Sequence, residues 1–323
     1  MGLKGIPAVF LVALLAPVIF VSGCVEGGDL QSMLSSLTGE AETIVAPKDV
    51  LVITDLRTIP DPPINADSEF TLTLQLVNVG DTEEGSKEAK NVGATVYDWG
   101  NCSPTSSTTA FSGIDIYPGG GAERAEWSFR SPSNTDLGYM ERKCAIRFFI
   151  KYDYDAQTTS EISIISSERL EQASRTGESI EVTPVQVQSR GPIKISMDVE
   201  VEQPVEESLV VPVIIKVHDQ GSGMYDKVLP ARPLVIEFPS GLRVLSCTPT
   251  RMISLGTNPS GGYTATSSSE IPLIKGESLP IRCDLELNEN IDDIKTYFIN
   301  AKILNYEYNL YGEKSVTIVP RYR

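Results

Sequence analysis

The sequence predicts an all-β protein of two tandem β-sandwiches, and three observations carry that expectation. From Lys48 onward, short segments rich in Val, Ile, Thr and Ser alternate apolar and polar residues with period two, as strands with one buried face do. Glycine and proline, 25 and 21 of 323 residues, punctuate those segments with turn signals. No long amphipathic helical pattern interrupts them, so antiparallel sheets are expected and βαβ units are not. Beyond the N-terminal leader, roughly 300 residues are enough for two hydrophobic cores.

The leader carries one side-chain charge, Lys4, and then an uncharged apolar run from Ile6 to Val21. It closes on Val21-Ser22-Gly23-Cys24, a small-residue stretch ending in cysteine that resembles the lipobox of secreted lipoproteins. The resemblance implies a signal peptide over residues 1–23, lipid on Cys24, and a chain held to the extracytoplasmic face of a cell membrane. Two readings compete. Gly5 to Val25 is long enough to span a bilayer as an uncleaved anchor. Lys4-Gly5-Ile6 resembles the processing site of archaeal prepilins, with a cut after Gly5. All three put the remainder outside the cytoplasmic membrane.

Residues 24–47 read as a tether. Leu30, Met33, Leu34 and Leu37 stand at helical spacing behind Asp29, a suitable cap, so a short amphipathic helix competes there with a flexible spacer. The first sandwich is expected over 48–168. Its strands are Val50–Leu56, Glu69–Val77, Asn91–Trp99, Phe111–Tyr117, Ala122–Arg130, Arg142–Tyr154 and Thr158–Ser166. In Glu69–Val77, Phe70, Leu72, Leu74 and Leu76 should face the core. Pro60-Asp61-Pro62-Pro63 forbids regular pairing and marks a turn or crossover. A linker is expected over 169–179 and a second sandwich over 180–323. The second set begins with Ile180–Gln188 and ends with Thr296–Tyr306 and Lys314–Val319.

The halves look like a divergent repeat. Cys102-Ser103-Pro104 recurs as Cys247-Thr248-Pro249, and Ile146–Tyr154 resembles Phe298–Tyr308, each followed by a charged turn and a last alternating strand. Setting Cys24 aside leaves an even four cysteines, Cys102, Cys144, Cys247 and Cys283, two in each half. Four cysteines allow three pairings. Pairing within each half, Cys102–Cys144 and Cys247–Cys283, fits the repeat and an oxidising exterior. The first cysteines match in the repeat and the second do not, so the bridges should staple different strand pairs.

Asp55-Leu56, the proline turn, and Glu69 through Asn78-Val79-Gly80-Asp81 resemble the opening of the Ig-like domains called CARDB-like, found in archaeal and bacterial surface proteins. The likeness is good over Asp49–Val96 and thinner beyond. Residues from Ile193 to Val319 are similar to Ig-like domains of archaeal surface lipoproteins. The resemblance implies Ig-like sandwich architecture with adhesive or scaffolding roles. Fold alone does not fix function.

Catalytic patterns are poor, and no enzyme is expected. A Ser-His-Asp triad needs a histidine, and only His218 is present, at a strand end beside Asp219-Gln220-Gly221-Ser222-Gly223. That segment lacks the G-x-S-x-G spacing of a nucleophile elbow. No C-x-x-C occurs, so neither a metal site nor a cofactor is expected. Asp153 with Asp155, and Glu289 with Asp292-Asp293, lack EF-hand spacing and read as solvated faces. A net charge of −16 should repel nucleic acid and anionic lipid headgroups. Asn101-Cys102-Ser103 fits the glycosylation acceptor pattern, with bridge formation at Cys102 in competition. The expected function is a non-catalytic, lipid-anchored spacer, scaffold or binding module with a protein or surface-polymer partner. The alternative is an accessory subunit of an envelope assembly such as a transporter, an envelope enzyme complex or a pilus.

Overall fold

The computed structural model describes residues 49–80 and 88–321; the leader, Cys24 and the tether lie outside them. In the first half the strands are β1 (Leu51–Ile59), β2 (Ile64–Asn65), β3 (Glu69–Asn78), β4 (Ala89–Asp98), β5 (Ser103–Pro104), β6 (Thr109–Ile116), β7 (Glu123–Arg130) and β8 (Arg142–Ile165). A short helix, α1 (Asn134–Leu137), precedes β8, and α2 (Ser167–Thr176) follows it. The second half has β9 (Gln186–Gln188), β10 (Ile193–Val199), β11 (Val205–Glu206), β12 (Val211–Asp219), β13 (Lys227–Val228) and β14 (Leu234–Phe238). It continues with β15 (Leu242–Thr248), β16 (Ile253–Thr257), β17 (Tyr263–Ser267), β18 (Ile271–Ile274), β19 (Glu277–Ser278), β20 (Ile281–Leu287) and β21 (Ile294–Val319).

The all-β class is what the sequence predicts, and the alternation in β3 buries Phe70, Leu72, Leu74 and Leu76 as expected. Three sheets build two sandwiches. One four-stranded sheet, β1-β3-β7-β5, covers the first. A second sheet, β13-β18-β19-β12-β20-β15 with β10 against β12, covers the other. The third sheet, β16-β17-β14-β21-β8-β4-β6, runs through both. Trp127 of β7 stacks on Phe148 of β8 at 6.0 Å across the first core. Thr158 Oγ1 of β8 donates to Ile195 O of β10 at 2.7 Å across the second.

The shared sheet corrects two expectations. Arg142–Tyr154 and Thr158–Ser166 are not separate strands around a charged turn; they are one strand, β8. Thr296–Tyr306 and Lys314–Val319 likewise merge into β21. The charges do not break β8 because they keep its period. Lys151, Asp153 and Asp155 alternate with buried Tyr152, Tyr154 and Ala156, and Asp153 is neutralised by Arg232 at 2.9 Å. β8 and β21 pair antiparallel from Arg142↔Ile318 to Ile165↔Ile294. The ladder breaks only where Leu304 and Asn305 oppose Asp155, a β-bulge in which Asn305 takes a left-handed φ of 51° and donates its N–H to Asp155 Oδ1 at 2.6 Å.

The pairing exchanges strands between the halves. The end of β8 lies in the second sandwich, and the end of β21 lies in the first. Each exchanged end is gripped by a short parallel strand, Val205↔Ile164 in one case and Ile64↔Ile318 in the other. The expected pair of independent sandwiches is therefore an interlocked pair within one compact unit. The expected linker, 169–179, is mostly α2. Ser166 caps it by accepting Arg169 N–H at 3.2 Å, and Gly177 ends it at a left-handed φ of 71°.

Cys102, in the turn before β5, is bridged to Cys144 at the start of β8, which ties the two layers of the first sandwich together. Cys247 and Cys283 face each other on neighbouring strands of one sheet and are bridged there. The two bridges do staple different strand pairs.

Candidate functional site

Two features stand out, one on the surface and one between the sandwiches. On the outer face of the shared sheet, β4, β8 and β21 each carry an aromatic ring, exposed on β4 and β21 and half-buried on β8. Strand alternation sends Phe148 inward and Phe149 outward, and the same rule puts Tyr97 and Tyr311 on the outer side. Ring centroids lie 6.1 Å apart for Tyr97 and Phe149, 6.3 Å for Tyr97 and Tyr311, and 6.4 Å for Phe149 and Tyr311. Tyr97 and Tyr311 remain 49% and 44% exposed. At the rim, Arg147 pairs with Glu313 at 2.8 Å and Asp98 at 3.0 Å, and Lys151 pairs with Glu307 at 2.7 Å. Such exposed ion pairs contribute little stability but orient hydrogen-bonding groups around the rings.

The second feature is a buried clasp where the sandwiches meet. Tyr152-Asp153-Tyr154 of β8 lies opposite Tyr306-Glu307-Tyr308 of β21, residue for residue. Tyr225 packs edge-on against Tyr306 at 5.5 Å. Asp153 accepts from Asn91 Nδ2 at 2.8 Å as well as from Arg232. Asp49, only 3% exposed, accepts the Ser222 N–H at 3.2 Å and is hydrogen-bonded to the Ser222 hydroxyl. Asp219 accepts from Gly221 N–H at 3.1 Å, the Tyr308 hydroxyl at 3.1 Å and Tyr225 N–H at 3.0 Å. Burial pushes both carboxyls above their ordinary value, with their hydrogen bonds pulling the other way. The glycines of this segment are steric necessities. A Cβ on Gly223 would sit 2.1 Å from Asn309 O, and one on Gly221 would sit 2.1 Å from the Tyr308 hydroxyl. The Gly-Ser-Gly run is thus a close-packing device.

The remaining sequence-singled residues scatter. Cys24 lies outside the described residues. Asn101 is exposed on its turn beside bridged Cys102. His218 is half-buried on β12, its Nε2 3.1 Å from Ser196 Oγ. Asp153 is buried and ion-paired, which corrects the solvated-face reading. Glu289 holds Lys295 at 2.6 Å and Tyr297 Oη at 2.8 Å, and Asp293 pairs with Arg169 at 3.5 Å. Among the described residues, no group of three or more His, Cys, Asp or Glu side chains is placed to hold a metal ion. Sequence reasoning missed the aromatic trio. The one available signal was Phe148-Phe149, two adjacent aromatics of which a strand can bury only one.

No family model matches the chain, and no curated protein matches it. Among solved structures it is similar to the Fcho1 Mu homology domain of Danio rerio with bound Eps15 peptide, at 7% identity and a TM-score of 0.23, covering 72% of this chain and 96% of that one. It is also similar to a B domain of a biofilm-associated protein, at 8% identity and a TM-score of 0.22, covering 82% and 86%. A third is the CupB6 tip adhesin from Pseudomonas aeruginosa, at 10% identity and a TM-score of 0.15, covering 87% and 97%.

Proposed function

We propose that this chain is a non-catalytic, lipid-anchored binding module on the extracytoplasmic face of a cell membrane. The observation that supports it most is the Tyr97–Phe149–Tyr311 cluster, two exposed tyrosines beside a half-buried phenylalanine, carried on three paired strands of a shared sheet and rimmed by charged pairs. Exposed aromatics beside an arginine are what protein interfaces use as anchors. A rigid sheet presents them at low entropic cost. The anchor half of the proposal rests on Val21-Ser22-Gly23-Cys24.

Two measurements test it. Intact-mass analysis of the membrane-bound protein should show loss of residues 1–23 and added lipid mass; an unmodified Met1 means an uncleaved anchor, and a cut after Gly5 means a pilin-like leader. Mild solubilisation should recover a partner that is lost in a Tyr97→Ser/Phe149→Ser/Tyr311→Ser variant of unchanged far-UV circular dichroism. A partner retained by that variant removes the aromatic face from the account. A companion present at fixed stoichiometry turns the reading to an accessory subunit of an envelope assembly.

A further inference from the structure

A groove runs beside the edge of β8 in the second sandwich, between the pairing with β9 and the pairing with β11, and it shares no residue with the aromatic face. After α2, residues 178–186 leave as an extended segment. Glu178 N–H bonds Ala173 O at 3.0 Å, and Val185 O accepts Glu161 N–H at 3.0 Å. Between those points, Ser179–Pro184 make no backbone hydrogen bond to described residues. The facing wall is β10 and the residues after it. Between the walls lies a cavity of about 640 Å³ whose apolar lining includes Ile180, Val182, Val185, Met197, Val199 and Val201. Ile180, Val201, Glu202 and Gln203 also line a second recess of about 520 Å³ beside α2, so the two form one channel.

Two details select an occupant. Among the described residues, no Lys or Arg lines either part, whereas Glu181, Asp198 and Glu202 rim the first. At the channel's base, Gln203 Oε1 accepts Ser163 N–H at 2.9 Å, a side chain doing what a neighbouring strand would do on an edge. The position lies between the Val185 contact and the start of the β11 pairing at Ile164↔Val205.

We propose that this groove binds an extended peptide segment in which apolar and basic residues alternate. An added strand satisfies the unspent main-chain groups of Ser179–Pro184, and alternate side chains point to opposite sides. The apolar set fills the valine-lined floor, while lysine or arginine at the other positions meets the acidic rim. An acidic segment is rejected by the same rim.

The test is fluorescence anisotropy on the full mature chain, held in detergent micelles, with labelled (Val-Lys)4 and (Val-Glu)4 octapeptides. Saturable binding of the basic peptide, at least tenfold tighter than the acidic one, is expected. Glu181→Lys/Glu202→Lys changes two exposed residues. It should weaken (Val-Lys)4 at least tenfold and strengthen (Val-Glu)4. Val182→Pro, which removes one wall N–H, should weaken the basic peptide severalfold with the same circular dichroism. Equal binding of the two peptides, indifference to the charge reversal, or full displacement by spermine at stoichiometric concentration would overturn the proposal. Displacement by spermine would leave only a site for small cations. Failure here leaves the aromatic face untouched, since that face is tested by its own triple variant.

Discussion

The two sandwiches repeat one topology with different chemistry at matching places. β1, β3, β7 and β5 of the first correspond to β10, β12, β20 and β15 of the second, and β6, β4 and β8 correspond to β17, β14 and β21. Even the short parallel strands correspond, β2 on the end of β21 and β11 on the end of β8. Yet one disulfide crosses between layers and the other joins neighbours within a layer. Strand order and pairing are therefore what the repeat preserves, while covalent staples can move by a strand. The strand exchange shows why neither copy can drift freely: each supplies an edge that the other must bury.

The exchange sets the largest expected effect. Residues 24–168 and 169–323, expressed separately, should each fail to give a cooperatively unfolding monomer, because each lacks the strand end that its partner lends. Co-expression should restore a complex that unfolds in one transition. A well-dispersed NMR spectrum from either half alone would break the comparison and return the protein to two independent domains.

Next in size is the clasp. Gly223→Ala places a methyl carbon against backbone at Asn309 O, which cannot swing away as a flexible side chain can. A loss of about 3 kcal/mol is expected from such overpacking, measured by denaturant unfolding. Gly113→Ala, where a Cβ meets nothing within 4 Å but φ is 71°, is the control for backbone strain alone. It should cost about 1 kcal/mol.

The disulfides sharpen the comparison further. Their sequence separations, 42 and 36, are close enough that loop entropy assigns each about 4 kcal/mol. Cys102→Ser/Cys144→Ser and Cys247→Ser/Cys283→Ser should then lower stability by similar amounts. Their proteolysis should differ. Loss of the interlayer bridge frees the turn before β5, whereas β15 stays paired to β20 after loss of the other. Equal new cleavage in both would show that the layer a bridge spans is irrelevant.

Much of this was legible in the sequence, and what was not has a common cause. β3 could be placed because its alternation is a local property. β8 and β21 could not be read as continuous, because a charge in a strand looks like a turn until its partner is known, and Arg232 is supplied from 79 residues away. α2 did carry signals, Ser166 before it and Gly177 after it, but it buries only Ala173, so no apolar stripe announced it. The aromatic face and the groove are assembled from strands far apart in the chain. Strand alternation tells which side a residue takes, but not which strands lie next to each other.

The smallest expected effect concerns the ends of β3 and β12, which correspond in the repeat. Asn78 Oδ1 accepts Gly80 N–H at 2.8 Å, and Asp219 Oδ1 accepts Gly221 N–H at 3.1 Å. Beside them stand Tyr154 and Tyr308, each meeting the glycine that follows. The first turn is neutral and the second ionises, so only the second should respond to pH. Asp219 and Asp49 both have folded-state values raised above the ordinary 3.8, chiefly by burial. A group of this kind holds its proton more tightly in the folded protein than in the unfolded chain. Its stabilising contribution is therefore complete below pH 3.8 and is lost as pH rises through the folded value. Asp219→Asn gives the second turn the chemistry of the first and should flatten that part of the stability–pH profile. Asp49→Asn should flatten it further. An unchanged slope above pH 3.8 in the double variant would show that the clasp carboxylates are ionised at no cost.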